Sequence, residues 1–235
     1  SRSGSFADEL VKGFSGYLQT DGYSGYDHLE GRKDIVHVGC FAHIRRKFVE
    51  AWETAGRTGP AKEAVDLIAR IYAAESNLRG KLEAGAMDAE QFRALRAVAL
   101  APIFEELRAW LLSKSYQAAP QSKLGMAVSY AQKVFDRAIR FVDHPLLTPD
   151  TNRVENAIRP FVLGRRNWLF SGSPRGAHAS ATLYSLIETA KSCGLEPYRY
   201  LKYLFTKLPS VRTPEDYRAL TPHHLDTEDF VRVSA

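Results

Sequence analysis

The stretch IVHVGCFAHIRRKFVEAW, residues 35–52, changes from a strand pattern to a helix pattern within a few positions. Residues 35–41 are a nearly continuous run of β-branched and apolar residues, which is typical of a strand buried on both faces. Beyond them the apolar residues recur at every fourth position, at Ile44, Phe48 and Trp52, and this spacing predicts an amphipathic helix. The sequence therefore predicts a buried strand that leads directly into a helix.

The residues before this stretch extend the alternation of helix and strand. Residues 6–14 carry apolar side chains at every fourth position, which predicts a short helix, and residues 17–20 are a strand candidate that ends at Asp21. Residues 23–31 leave room for one short helix before the strand at residue 35. This order is typical of an α/β sheet.

The residues after this stretch indicate helices throughout. Residues 61–142 show only helical periods and are interpreted as an all-helical insertion with breaks at Gly80, Gly85 and Pro120. A loop follows, and a helix is expected to begin near Asn152.

Prolines and a glycine mark the later helix boundaries. Pro160 is expected to kink or end the helix that begins near Asn152. Residues 177–193 predict a helix with Gly194 just after its end, and prolines predict the first turns of three further helices. These prolines are Pro197, Pro214 and Pro222.

The composition indicates a soluble globular protein. The 235 residues include 32 Lys and Arg and 27 Asp and Glu, so the formal net charge is +5. The hydrophobic content of 45% argues against disorder, and no stretch approaches the ~20 apolar residues of a membrane span. Two cysteines do not make a disulfide framework, and no signal peptide is evident, so a cytoplasmic location is expected. The first residue is Ser1 rather than Met, which favours an excised piece of a longer protein or a lost start.

Two carboxylates are candidates for chemistry. Asp21 ends a predicted strand and is followed by Gly22, and Glu155 lies in the first turn of a predicted helix, three residues after Asn152. A turn dipeptide and a helix cap explain these positions, and the residues alone favour those structural roles. The alternative is that both hold Mg²⁺, because hard cations prefer carboxylate oxygens and phosphoryl-transfer sites use two metals about 4 Å apart.

Residues 39–48 combine a cysteine, a histidine and three cations. Cys40 and His43 have the spacing of half a zinc site, but the sequence offers no second pair, so His43 is expected to be a supporting polar residue and Cys40 a small buried apolar one. Arg159, four residues after Glu155, is another candidate for binding phosphate, and the alternative is an ion pair with Glu155 within the helix. The run of cations is either a solvated helix face or a phosphate-binding patch. It consists of Arg45, Arg46 and Lys47.

Cations alternate with aromatic residues around residues 161–170. Arg165 and Arg166 lie between Phe161 and Trp168. This combination suits a clamp on a nucleic-acid backbone with stacking on an unpaired base, but the aromatic residues fit a protein core equally well.

Three long motifs resemble one family. They are LQTDGYSGYDHL at residues 18–29, GCFAHIRRKFVEA at 39–51 and the segment from NRVENAIRP to GLEPYRYL at 152–201. In this order they resemble the transposases of bacterial insertion sequences of the IS66 (TnpC) type. The resemblance implies a DDE transposase with an α/β, ribonuclease H-like core, in which three carboxylates hold two Mg²⁺ or Mn²⁺ ions.

The resemblance assigns roles to residues of this chain. It implies that Asp21 is the second Asp of the triad and Glu155 the Glu, while the first Asp lies upstream of Ser1, so the metal site within this chain is expected to be incomplete. Asn152 is expected to orient Glu155 or to touch the scissile strand. The remaining matches are a supporting C-x-x-H-x-R-R signature at Cys40, His43, Arg45 and Arg46, and phosphate-neutralising Arg159, Arg165 and Arg166.

The resemblance also implies a domain order and a set of partners. The partners are DNA, at the element ends and at the target, a second copy of the protein in a synaptic complex, and possible accessory proteins of the element, with no membrane. The alternatives are an inactive DNA-binding or dimerising remnant and another ribonuclease H-like nuclease. The expected order is the first part of the core at 1–55, the helical insertion at 56–143, the rest of the core at 144–193 and a C-terminal helical module at 194–235.

Overall fold

The computed structural model describes residues 4–168 and 171–230, and the side chains of residues 5, 6, 165, 166 and 168 lie outside this description. The chain divides into two compact units, unit 1 (Ser1–Arg153) and unit 2 (Val154–Ala235). No described helix is both long enough and apolar enough to cross a membrane.

Unit 1 begins with a short helix and two strands, as the pattern predicted. The strands pair in parallel, with Gly16 opposite Ile35 and Gln19 opposite Val38, and form the one sheet of the described residues. The second strand ends three residues before the predicted Phe41, because Cys40 is already the residue that caps the next helix. The elements are α1 (Gly4–Leu10), β1 (Gly16–Gln19), a 3₁₀ helix (Ser24–Gly31), β2 (Ile35–Val38) and α2 (Phe41–Thr54).

Three long helices follow, which confirms the helical character predicted for residues 61–142. The break predicted at Gly80 is wrong, since one exposed glycine costs about 1 kcal/mol and the buried face of a long helix outweighs it. Gly85 does end a helix, with a φ of 70°. The helices are α3 (Ala61–Glu83), α4 (Ala89–Gln117), α5 (Lys123–Ile139) and a 3₁₀ turn (Arg140–Asp143).

One hydrophobic core joins the two halves of unit 1. Phe41 at the start of α2 is fully buried, and its ring centroid lies 6.0–6.3 Å from those of Phe104, Phe135 and Phe141. The same cluster contains Val38 of β2. Helices α3 to α5 therefore pack on the strand-to-helix corner and do not form a separate core.

Unit 2 is helical in the residues that the structure describes. The helix predicted near Asn152 is confirmed and continues through Pro160, so of the kink or end predicted there the end is wrong. Pro160 is exposed and removes one backbone hydrogen bond, which the remaining turns tolerate. The helices are α6 (Asn152–Trp168), whose first two residues belong to unit 1, α7 (Pro174–Ser192), α8 (Pro197–Lys207) and α9 (Pro214–Ala219).

The boundary signals in unit 2 are confirmed. Gly194 follows α7 with a φ of 78°, and Pro197 and Pro214 occupy the first turns of α8 and α9. Pro222 begins a 3₁₀ turn. The ribonuclease H-like topology and the domain boundaries stay predictions, because the described sheet contains two strands.

Candidate active site

Asp21 lies exposed just beyond the carboxyl end of β1. Its Oδ1 accepts a hydrogen bond from the backbone N–H of Tyr23 at 3.1 Å, so the turn role expected for this residue is present. The residue that follows has no room for a side chain, because a Cβ on Gly22 would lie 1.9 Å from Oη of Tyr130. The phenol of Tyr130 on α5 thus approaches the backbone of Gly22 closely, and it lies beside the candidate carboxylate.

A directed chain of hydrogen bonds supports the backbone of Asp21. The hydroxyl of Thr20 donates to the carbonyl oxygen of Asp21 at 2.9 Å, and Nε2 of His37 lies 2.8 Å from the same hydroxyl oxygen. Nδ1 of His37 lies 3.4 Å from Nη1 of Arg137. A His37 tautomer with its proton on Nε2 satisfies all of these contacts, and this assignment follows from the network.

Burial and the charge of Arg137 keep the ring of His37 neutral. Burial lowers the pKa of His37 and the Arg137 charge lowers it further, against the carboxylates of Glu30 and Asp27. Arg137 itself donates to Oδ1 of Asp27 at 2.9 Å. Because the pKa is lowered, Nδ1 carries no proton near neutral pH, and it can therefore accept a hydrogen bond from Arg137.

Cys40 and His43, the pair with zinc-like spacing, meet the loop that leads into α6. Sγ of Cys40 lies 3.2 Å from Nδ1 of His43 and accepts from the backbone N–H of Thr151 at 3.4 Å. Burial by itself raises the pKa of the Cys40 thiol, but the hydrogen bonds from His43 and Thr151 outweigh it and lower the pKa. The next backbone N–H, of Phe41, donates to the carbonyl oxygen of Pro149 at 2.8 Å. The start of α2 therefore holds residues 149–151.

Two further side chains hold the same loop. Nε2 of Gln19, the last residue of β1, donates to the carbonyl oxygens of Thr148 at 2.7 Å and Gly39 at 3.2 Å. The hydroxyl of Tyr72 on α3 bonds to Asp150, and burial followed by the Asp150 charge raises the pKa of Tyr72. Burial, with the charges of Cys40 and Asp21, also raises the pKa of Tyr130 to about 12, so both phenols keep their protons.

A buried ionic cluster on α3 and α4 anchors the loop at its other end. Arg96 is fully buried and donates to the carbonyl oxygens of Val142 at 3.0 Å, His144 at 2.8 Å and Leu147 at 3.1 Å. Its Nη1 also lies 3.3 Å from Oε1 of Glu75. Residues 142–151 are therefore held by side chains from β1, α3 and α4, by Cys40 just before α2 and by the first backbone N–H of α2.

The sequence carried signals for part of this anchor. Arg96 lies midway between Phe92 and Leu100 in the four-residue apolar spacing, and this spacing places a charged side chain on a buried helix face. Tyr130 and His37 gave no comparable signal, because an aromatic residue on a helix and a histidine in a strand are ordinary core residues.

The remaining predicted residues fall into two groups. Arg45, Arg46 and Lys47 are exposed on α2, and the Arg46 charge acts on Tyr130. Asp21 and the exposed Asn152 lie in unit 1. In unit 2 the structure describes the exposed side chains of Glu155 and Arg159, whereas the side chains of Arg165 and Arg166 lie outside the described residues.

The capping role expected for Asn152 is wrong in position. Asn152 is the first residue of α6, so Thr151 stands at the cap position. Oδ1 of Asp150 accepts from the backbone N–H of Asn152 at 3.0 Å.

The donor chemistry of the two candidate carboxylates suits a hard divalent cation. Asp21 and Glu155 are both exposed and offer oxygen ligands. Within the described residues, no three His, Cys, Asp or Glu side chains are grouped closely enough to hold a metal ion. The oxygen ligands of Asp21 and Glu155 are therefore of the type that the expected ions prefer.

Comparison with known proteins gives the family. Residues 1–179 match "Transposase IS66 family" and residues 185–223 match "IS66 C-terminal element". The chain is 33% identical over 219 residues to "Uncharacterized protein y4jD" of Sinorhizobium fredii, covering 91% of this chain and 42% of the relative. It is 31% identical over 220 residues to "Uncharacterized protein y4qI" of the same organism, covering 90% of this chain and 39% of the relative.

The chain spans about two fifths of the length of these curated relatives. No solved structure matches it. The first family match covers well over half of the chain and agrees with the three motifs, so the chain belongs to the IS66 family of transposases.

Proposed function

We propose that this chain is the catalytic part of a DNA transposase that cleaves phosphodiester bonds at the ends of an insertion sequence and joins them to target DNA. The observation that carries the proposal is the exposed carboxylate of Asp21 at the carboxyl end of β1, on a backbone fixed by Thr20 and His37. Reactive carboxylates need support of this kind, because small displacements from the productive geometry cost rate.

Asp21 and Glu155 are proposed to hold two Mg²⁺ or Mn²⁺ ions in the full-length protein, with further ligands from outside the described residues. Bound divalent cations supply a nucleophilic oxygen at neutral pH and stabilise the leaving oxygen. A ribonuclease H-like sheet completed by more strands is part of the same proposal.

The exposed cations are proposed to bind DNA phosphates. Arg45, Arg46 and Lys47 are all exposed on α2, the helix whose first turn holds residues 149–151. Arg159 on α6 has the same role in unit 2, and Arg165 and Arg166 are assigned to it by their place in the motif. Asn152 is proposed to contact the scissile strand, and Cys40 with His43 to support the loop that precedes it.

The test uses the full-length product of the gene that encodes this chain, with DNA carrying its element ends. Asp21→Asn and Glu155→Gln should abolish cleavage and strand transfer while DNA affinity stays within about threefold, since neither change removes a cation. Asp226→Asn is a matched control, because Asp226 accepts the N–H of Glu228 at 3.1 Å in the same type of turn. Glu90→Gln is the control for Glu155, since Glu90 also lies in the first turn of a long helix.

The outcomes separate the alternatives. Metal-dependent cleavage that survives in Asp21→Asn or Glu155→Gln contradicts the assignment. DNA binding by the wild-type protein without cleavage indicates an inactive DNA-binding or dimerising module. Cleavage without preference for element ends indicates another ribonuclease H-like nuclease.

A further inference from the structure

Helix α8 has one buried side and one outward side. Tyr200 is fully buried and its hydroxyl donates to the carbonyl oxygen of Leu220 at 3.2 Å. Leu204, one turn further, is also buried in the core of unit 2. These two contacts determine which side of α8 faces outward.

The outward side carries two aromatic residues with a lysine between them. Tyr198 is 72% exposed and Phe205 is 53% exposed, and Lys202 between them is exposed as well. At about 100° per residue these three side chains fall within about 60° of one another, and Tyr198 and Phe205 lie about 10 Å apart along the axis. Together with the neighbouring Arg199 they define the α8 face.

The charge of α8 is entirely positive. The helix contains Arg199, Lys202 and Lys207 and no acidic residue. In the part of the chain that the structure describes, no carboxylate forms an ion pair with Arg199 or Lys202, whereas Lys191 on α7 pairs with Glu188 at 2.6 Å. The carboxylate just before α8, on Glu196, accepts the backbone N–H of Arg199 at 2.8 Å, so it is engaged with the helix end.

Exposed aromatic rings beside unpaired cations fit a nucleic-acid strand better than a protein surface. Aromatic side chains stack on unpaired bases of any sequence, and adjacent cations bind the backbone phosphates. The separation of about 10 Å corresponds to about three nucleotide steps of 3.4 Å. A duplex keeps its bases stacked inside, so both rings find partners only on a strand with free bases.

From this face we infer that α8 binds single-stranded DNA, with Tyr198 and Phe205 stacked on bases and Arg199 and Lys202 on phosphates. The inference rests on the proposed function and deepens it, because it gives the C-terminal element its own DNA contact. Opened or nicked element ends are the source of such strands in a cleavage and joining reaction.

The experiment measures fluorescence anisotropy of a labelled oligothymidylate and of a labelled duplex, titrated with the full 235-residue chain. Tyr198→Ala and Phe205→Ala should each weaken oligothymidylate binding about tenfold, and the duplex much less. Lys202→Gln should reduce the slope of log affinity against log salt by about 0.7. Tyr116→Ala and Lys81→Gln are matched controls, because Tyr116 is 84% exposed on α4 and Lys81 is exposed on α3, and both should bind like the wild type.

The outcomes separate this inference from the proposed function. A wild-type chain that does not bind oligothymidylate overturns the inference, whereas the proposed function fails only if the full-length protein does not cleave element ends. Wild-type binding that the α8 variants leave unchanged, or weaken equally for duplex and single strand, overturns the inference and leaves the proposed function standing. Variants that change the sedimentation of the chain but not its DNA affinity make the α8 face a protein contact and also overturn it.

Discussion

Arg96→Met is expected to be one of the most destabilising single changes in unit 1. The guanidinium of Arg96 is fully buried and lies 4.6 Å from the ring centroid of Phe92 and 5.4 Å from that of Phe141. It makes four hydrogen bonds, three of them to backbone carbonyl oxygens of residues 142–147. Methionine fills a similar space between the two rings but donates nothing.

The size of the effect follows from what the change leaves behind. The carbonyl oxygens of Val142 and His144 lose the donor that Arg96 supplies, and Glu75 loses one of its two cationic partners. Removing one partner of a buried ionic cluster costs about 3–5 kcal/mol. Arg79 continues to donate to Glu75 and to the carbonyl oxygen of Leu147, which places the expected loss near the lower end, at about 3 kcal/mol.

Urea unfolding followed by circular dichroism measures this loss, and amide hydrogen exchange shows whether residues 142–151 open first. Arg93→Met is the matched control, because Arg93 is exposed on the same helix and the change should stay within about 0.5 kcal/mol. A loss below about 1 kcal/mol for Arg96→Met would refute the claim that this cluster anchors the loop.

Three further predictions concern the surroundings of Asp21. Because the pKa of His37 is lowered in the folded chain, the unfolded chain takes up the His37 proton at a higher pH, and the free energy of unfolding should fall as the pH drops below about 6.5. His37→Gln should reduce the slope of that free energy against pH by up to about 1.4 kcal/mol per pH unit. An unchanged slope contradicts a neutral buried ring. Gly22→Ala should cost about 1–3 kcal/mol in urea unfolding, and Tyr130→Ala should remove most of that cost in the double variant; additive losses exclude the predicted clash. Cys40→Ala should cost about 1–2 kcal/mol because Thr151 loses an acceptor, whereas Cys193→Ala should cost less; equal losses argue against a tether.

The local pattern predicted most of the helices, because their buried faces repeat at short range. The four-residue spacing in residues 41–54 and the glycine at position 194 gave the helix and the helix end that the structure has. The boundary at Cys40 was missed because a buried strand and the first turn of a buried helix look alike as an apolar run. Gly80 was overrated as a break and Pro160 as a helix end, since the propensity of a single residue yields to a long helical context.

The support of the candidate site depends on contacts between residues far apart in the chain, which periodicity does not reveal. Gln19 and Thr148 are 129 positions apart, and His37 and Arg137 are 100 positions apart.

Because α5 supplies both Tyr130 against Gly22 and Arg137 against His37, this helix contributes directly to the position of Asp21. Helices α3 and α4 likewise supply Tyr72 and Arg96, which hold the loop before α6. If a short connection replaced helices α3 to α5, the contacts of Tyr72, Arg96, Tyr130 and Arg137 would be lost. Helices α3 to α5 therefore act as part of the support for the candidate carboxylate, and shortening them should disturb the Asp21 turn even where the three family motifs are intact.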